Sequence, residues 1–341
     1  MSVAAPILPW QADALAKALN PPVPVSLLVH GSAGMGAFEF AYDLARSLLC
    51  ESPSKLSMAC GQCSSCHLMS THTHADLKVL VPQATAVAWD WPVTIDERKK
   101  PSRQIRMEEV QDALSWVTTT SSRGRAKVLV IHPASAMNAI SSSALLKTLE
   151  EPPSGVHLIL TASDPGQLLP TIVSRCVRLS LPKPTHDQAL QWLQAKGIDE
   201  AHVLLAGCGG APLEVLELHE QGVTAAQWSA LPQAVLHADA SAFSQWPVRR
   251  LVHTLFKICH DAMTHRALAP QQATRTPLFF PGSDAFGQNA RWEALEAWRK
   301  SLMHLLAHSE HPWNEAVLLD SILLEGQAAL RAAPARRAHV G

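Results

Sequence analysis

A short apolar run, Val25–His30, ends on Gly31-Ser-Ala-Gly-Met-Gly36, and a helical stretch follows from Ala37 to Leu49. A strand that turns through glycines directly into a helix constrains the fold more than any other feature of this chain. Such a turn belongs to a parallel α/β unit, and it aims the helix's first N–H groups at whatever rests on it. Two further runs, Lys127–Ile131 and Val156–Leu160, have the length and composition of buried strands. Between them Ala139–Glu151 carries Ile140, Leu145, Leu146 and Leu149 at helical spacing and stops at Pro152-Pro153, where a helix cannot continue. Short apolar strands alternating with helices predict an α/β domain over residues 1–184, its parallel sheet covered on both faces.

After Pro182-Lys-Pro184 the strand signals stop. Residues 185–222 hold two or three helical patterns broken at Gly197 and Gly207-Cys-Gly-Gly210, and 223–330 read as helical throughout. Trp292, Leu295, Trp298, Leu302 and Leu305 recur three and four apart, which predicts a core stripe, a partner-binding face being the alternative. Pro82–Pro101, with its Asp-Glu-Arg-Lys-Lys run, and Ala269–Gln288 read as loops, and Arg331–Gly341 as a disordered tail. Hydrophobic residues at 47% supply ample core, while 28 Lys plus Arg against 29 Asp plus Glu leave no basic excess. A protein that binds nucleic acid tightly by itself carries such an excess, so any DNA contact is expected to be local or shared. The first fifteen residues lack a basic segment followed by a long apolar core, and no run reaches about 18 apolar residues. A cytosolic location is the expectation, and it disfavours disulfides among the seven cysteines.

The glycine turn has the shape of a phosphate-binding loop without its chemistry. Gly31, Gly34 and Gly36 could still form a backbone cradle, but the positions of the phosphate-reaching lysine and the magnesium-binding hydroxyl hold Ala37 and Phe38. Charge-assisted contacts contribute about 1.5–3 kcal/mol each, so losing both should cost several kcal/mol of phosphate affinity. Where the strand Val128–Ile131 would end in an acidic pair for magnesium and water, the chain has His132-Pro133. Magnesium wants oxygen ligands, which neither residue offers. Tight ATP binding is therefore not expected.

Cys50, Cys60, Cys63 and Cys66 fall within 17 residues. Two-residue spacings let successive thiolates wrap one ion, and four close a tetrahedral zinc site with no open position, which makes the role structural. His67 in place of one cysteine, or a loop without metal, are the alternatives. His72 and His74 read as surface histidines in a chain with 17 of them. Cys176 has no partner base near it in sequence and is not expected to be a nucleophile.

The cysteine quartet after the first helix, Leu145-Leu-Lys-Thr-Leu-Glu-Glu-Pro-Pro153 and Thr171-Ile-Val-Ser-Arg-Cys176 together resemble the bacterial clamp-loader family of AAA+ proteins. The resemblance covers residues 8–220 by motif and the remainder by architecture. It implies a RecA-like domain with a zinc module (1–184), a small helical lid (185–222) and a helical collar (223–330). It implies a place in a hetero-pentamer that opens a sliding clamp and sets it on primed DNA, with gamma/tau-type and delta-type subunits as partners. Members of the gamma/tau type keep an intact phosphate loop and acidic pair, whereas the delta-prime type often does not. This chain has lost both, and Gly209–Glu217, which resembles the family's sensor stretch, contains no arginine. Arg175 matches the family's arginine finger, which reaches the ATP of a neighbouring subunit. The resemblance thus implies a rigid, stator-like subunit that hydrolyses nothing itself. The rivals are an active ATPase of the gamma/tau type with an unconventional site, and a zinc-dependent DNA-binding regulator.

Overall fold

The computed structural model describes residues 7–53, 58–93, 100–244, 246–267, 278–281, 290–307 and 314–331. Two compact units, Met1–Gln188 and Ala189–Gly341, divide the chain.

The first unit runs α1 (Ala12–Ala18), β1 (Ser26–His30), α2 (Ala37–Leu49), α3 (Ser64–Ser70), β2 (Leu77–Leu80), α4 (Gln83–Ala88), α5 (Met107–Val117), β3 (Lys127–Ile131), α6 (Ala139–Glu150), β4 (Val156–Ala162), α7 (Pro170–Val173) and β5 (Val177–Ser180). The strands form one parallel sheet in the order β2-β3-β4-β1-β5, with Val29 opposite Thr161 and Leu80 opposite Ile131. Alternate residues of one strand feed two cores. Val128 and Val130 pack with Phe40, Leu44 and Leu49 of α2, while Leu129 and Ile131 pack with Leu145 and Leu149 of α6. A sheet covered on both faces favours apolar residues on both, which is why β3 and β4 read as mostly apolar runs, with His157 and Thr161 the polar residues of β4. This is the α/β, RecA-like arrangement expected, followed by a helical region.

Several expectations need correction. β2 and β5 are absent from the sequence reading because they are the edge strands. Lys78 and Arg178 interrupt their apolar runs, and β5 is largely exposed. Pro82–Pro101 is not all loop, since α4 lies inside it; most of its charged run is outside the described residues. Ile140 does not pack on the sheet and is 70% exposed, whereas Leu145 and Leu149 are buried. Of the tail, residues 332–341 lie outside the described residues.

The second unit comprises the rest of α8 (His186–Ala195), then α9 (Ala201–Gly207), α10 (Pro212–Glu220), α11 (Ala225–His237), α12 (Val248–Ala267), α13 (Trp292–Ala307) and α14 (Glu315–Leu330). Strands are absent among its described residues. Leu295, Trp298, Leu302 and Leu305 are buried as the stripe predicts, but Trp292 at its start is 45% exposed. Gly207 is required by packing, because a Cβ there would lie 2.4 Å from the Trp228 ring. The expected loop Ala269–Gln288 is described at Leu278–Pro281, where it enters the core. Phe280 is buried and stacks on Trp228, and the buried Asp261 carboxylate accepts the N–H groups of Leu278, Phe279 and Phe280 at 2.8–3.2 Å. No single helix among the described residues is long and apolar enough to cross a membrane.

Candidate functional site

The turn 31–36 leaves the carboxyl end of β1, where parallel α/β sheets bind ligands. Gly36 is the N-cap of α2 with φ +90°, and no side chain caps the helix. A Cβ at this position would meet Leu8 Cδ1 at 2.4 Å and Gln11 Nε2 at 2.7 Å, so glycine is demanded by both conformation and space. The buried Gln11 amide donates from Nε2 to the carbonyls of Met35 and Gly36, each at 2.8 Å, and Trp10 Nε1 donates to Met35 O at 3.2 Å. The turn is thus braced by the residues ahead of α1, a role that sequence reasoning missed.

Phe38, at the position of the magnesium-binding hydroxyl, is buried. Its ring centroid lies 4.5 Å from Trp89, 5.2 Å from His132, 5.8 Å from Trp91 and 5.9 Å from Tyr42. Phe38 and His132, two of the four residues singled out in the sequence, therefore meet in one aromatic cluster. Trp89 also stacks on His132 at 5.5 Å. Burial pushes the His132 pKa down to about 4, so the imidazole is neutral at pH 7, with Nδ1 2.7 Å from Thr161 Oγ1. Apolar rings and an uncharged imidazole present neither a cation nor a carboxylate on this side of the turn. Trp89 and Trp91 sit where the sequence reads as loop; the two tryptophans among Ala84, Ala86, Val87, Ala88 and Val93 were the available signal. His72, expected at the surface, joins the same cluster, its ring 3.9 Å from Trp91 and Nδ1 3.4 Å from Tyr42 Oη.

At the other end of α2, Cys50 caps the helix, and Cys63 caps the start of α3. The four sulfurs of Cys50, Cys60, Cys63 and Cys66 lie within 4.8 Å of one another, with Cys50–Cys63 at 3.8 Å and Cys60–Cys66 at 4.0 Å. Zinc–sulfur bonds of about 2.3 Å in a tetrahedron require sulfurs about 3.8 Å apart, so the set fits such an ion. Backbone N–H groups of Cys60, Gln62, Cys63 and Cys66 point at these sulfurs at 3.3–3.4 Å, which favours thiolates. Burial works against ionisation at Cys63, yet the N–H groups of Cys66 and Glu51 and the neighbouring sulfurs outweigh it and bring the pKa down to about 6. His67 is exposed and outside the cluster.

His74 is also not a surface residue. It is buried; Nδ1 accepts the Asp76 N–H at 3.1 Å, which leaves Nε2 to donate to Ser65 Oγ at 3.1 Å. Ser65 donates to Glu51, Arg123 Nε donates to the same Glu51 oxygen at 2.6 Å, and the Asp76 carboxylate accepts the N–H groups of Ser122 and Arg123. This network ties the cysteine segment to the sheet.

Arg175 follows α7. Its Nε donates to Glu150 Oε1 at 2.7 Å, Nη2 donates to the same oxygen, and Nη1 donates to Thr171 O at 2.9 Å. None of these partners is on the glycine turn. Cys176 beside it is buried, which pushes its thiol pKa up to about 11 and makes it a poor nucleophile.

A family model described as DNA polymerase III, delta subunit, matches residues 14–185, half of the chain. A DNA polymerase III subunit delta' of Pseudomonas aeruginosa is 40% identical over 200 residues, 58% of this chain and 56% of that protein. The subunit delta' of Escherichia coli is 28% identical over 248 residues, 67% of this chain and 69% of that protein. The chain thus spans little more than half the length of the Pseudomonas relative. A DNA polymerase III gamma subunit-related protein of Thermotoga maritima aligns over 94% of this chain and 100% of its own at 16% identity, with a TM-score of 0.48. The matched segment contains the glycine turn, the cysteine cluster and Arg175, and the chain belongs to the DNA polymerase III delta-subunit family.

Proposed function

We propose that this chain is a non-hydrolysing, delta-prime-type subunit of a clamp loader, which helps to place a sliding clamp on primed DNA. The observation that carries the proposal is the packing of Phe38 on His132 and Trp89, which fills the nucleotide side of the glycine turn with the chain's own rings. A nucleotide would have to displace an aromatic cluster built on the buried Phe38 and would then find neither cation nor magnesium ligand. The subunit's contribution is instead Arg175, delivered to the ATP of a gamma/tau-type neighbour, where it stabilises charge on the transferring phosphoryl group. Its partners are the gamma/tau-type and delta-type subunits of a hetero-pentamer, with clamp and primed DNA met through the assembly, in the cytosol. Residues 185–222 serve as the lid and 223–330 as the collar.

Cys50, Cys60, Cys63 and Cys66 would hold zinc, which supplies a rigid cross-link and no chemistry, since four thiolates leave no open position. Similarity to the Escherichia coli tau subunit, 27% over 82% of this chain and 39% of that protein, is the observation that favours an ATPase instead. Calorimetric titration of magnesium-ATP into the purified chain decides between the two. Absence of binding at micromolar concentrations is expected, and micromolar affinity overturns the proposal in favour of the ATPase.

A further inference from the structure

The Leu149-Glu-Glu-Pro-Pro153 and Ser174-Arg-Cys176 segments lie 25 residues apart between Glu150 and Arg175, and the fold closes that distance to one hydrogen bond. Both residues stand at ends of rigid elements that share a core. α6 stops at Glu150 because Pro152 and Pro153 bar its continuation, and Leu145 and Leu149 of α6 pack with Ile172 of α7. A guanidinium has five N–H donors in a planar fork. Glu150 Oε1 takes two, from Nε and Nη2, and Thr171 O takes one from Nη1. Ser174 Oγ approaches Nη1 at 3.5 Å, too far for a strong bond. Nη2 keeps one N–H without a recorded partner and Nη1 one that meets only the distant Ser174 Oγ, and the terminal nitrogens are the pair that can grip an anion's oxygens.

The ion pair itself has little value for stability. Both side chains are partly exposed, at 31% and 48%, and exposed pairs contribute about 0–1 kcal/mol. Its geometry has another consequence. Held along one edge by the carboxylate and along the other by a carbonyl, the guanidinium loses its rotational freedom and offers its free end. We infer that Glu150 is a positioning residue for Arg175, presenting the guanidinium end-on to the terminal phosphate of a nucleotide held by the neighbouring subunit. The inference rests on the assignment of Arg175 as a finger made above.

The test is a double-mutant cycle in the reconstituted clamp loader, with ATP hydrolysis followed under single-turnover conditions at matched subunit incorporation. Glu150→Ala is expected to lower the rate about ten-fold at the site that Arg175 serves, since a small misplacement of a catalytic group has effects of this size or larger. The half-saturating ATP concentration should stay unchanged. Glu150→Gln, whose side-chain oxygen can still accept both N–H groups, should restore the rate to within about two-fold. In an Arg175→Ala background, Glu150→Ala should have no further effect. A wild-type rate for Glu150→Ala, or an equal loss in the Arg175→Ala background, overturns the inference. If Arg175→Ala itself leaves hydrolysis unchanged in a normally assembled complex, the finger assignment fails first. Should Glu150→Ala not assemble, Glu150→Asp, too short to hold both bonds, takes its place with the same expectations.

Discussion

Helix α2 begins at the glycine turn and ends at the first cysteine of the cluster, and its two ends have diverged. At Gly36 a left-handed glycine opens the helix without a side-chain cap, and Phe38, Trp89 and His132 pack beside it. At Cys50 four sulfurs gather, with backbone N–H groups on those of Cys50, Cys60 and Cys63, while burial pushes the Cys50 and Cys66 thiols up. The difference teaches that one scaffold can shed the chemistry at one end of a helix and keep it at the other. A helix end needs something polar or packed against it. At the N-terminus the helix meets packed rings, while at the C-terminus four sulfurs gather within 4.8 Å of one another, a set compatible with a structural ion.

The largest expected effect is at the cysteine end. Structural zinc is held with about 10–16 kcal/mol of apparent binding free energy in small peptides. The purified chain should carry about one zinc, as four thiolates make one closed site, and Cys63→Ser should lose it. Metal analysis of the two proteins is the check, and equal zinc in both would break the comparison. The sheet should survive the loss, because the network from His74 through Ser65 and Glu51 to Arg123 anchors this segment without the metal.

Next comes a pair of substitutions that should dissociate. Arg175→Ala is expected to cut hydrolysis by the reconstituted complex by up to about 10³-fold at the site it serves, with thermal unfolding of the subunit shifted little. Phe38→Ala should do the reverse, destabilising the chain by about 3–5 kcal/mol, as buried aromatic deletions do, while the assembled complex hydrolyses ATP normally. Unfolding by denaturant and single-turnover hydrolysis, run on both variants, separate the two. If Phe38→Ala costs activity at unchanged stability, the turn is not merely packed.

How legible these ends were in the sequence follows from what each depends on. The sulfurs were readable because spacing alone brings them together, β3 and β4 because burial on two sides leaves a mostly apolar record, and α2 because a glycine turn opens it. Ala37, Phe38, His132 and Pro133 were equally plain as residues at fixed places. What packs beside Phe38 was not, because Trp89 and Trp91 reach it only through the fold, and a tryptophan in a loop reads the same whether it is buried or not. Gln11 and Glu150 were hidden for the same reason, each acting on a segment at least 24 residues away. His74 was misjudged because histidine carries no burial signal of its own; its partner Ser65 is set nine residues back by α3.

The smallest expected effect concerns acid. Burial lowers the folded-state pKa of His132 from 6.5 to about 4, so the folded chain prefers the neutral ring and the unfolded chain takes up the proton first. Its contribution to stability is fully present above pH 6.5 and is lost as pH falls through 4. Between pH 7 and 4.5 that loss amounts to about 2–3 kcal/mol at 1.36 kcal/mol per pKa unit. Asp43 runs the other way in part of this window, because burial raises its pKa to about 6 against the pull of Arg46, so acid relieves it of an unfavourable charge. The total acid response therefore mixes opposed terms, and a variant isolates the one in the cluster. His132→Phe, an aromatic of similar breadth, should flatten the stability profile between pH 7 and 4.5 by about the 2–3 kcal/mol assigned to the imidazole. Denaturant unfolding at half-unit pH steps measures it. Parallel profiles for the two proteins would mean that the ring is hydrated in the folded state, and the nucleotide side of the turn would then be wet rather than filled.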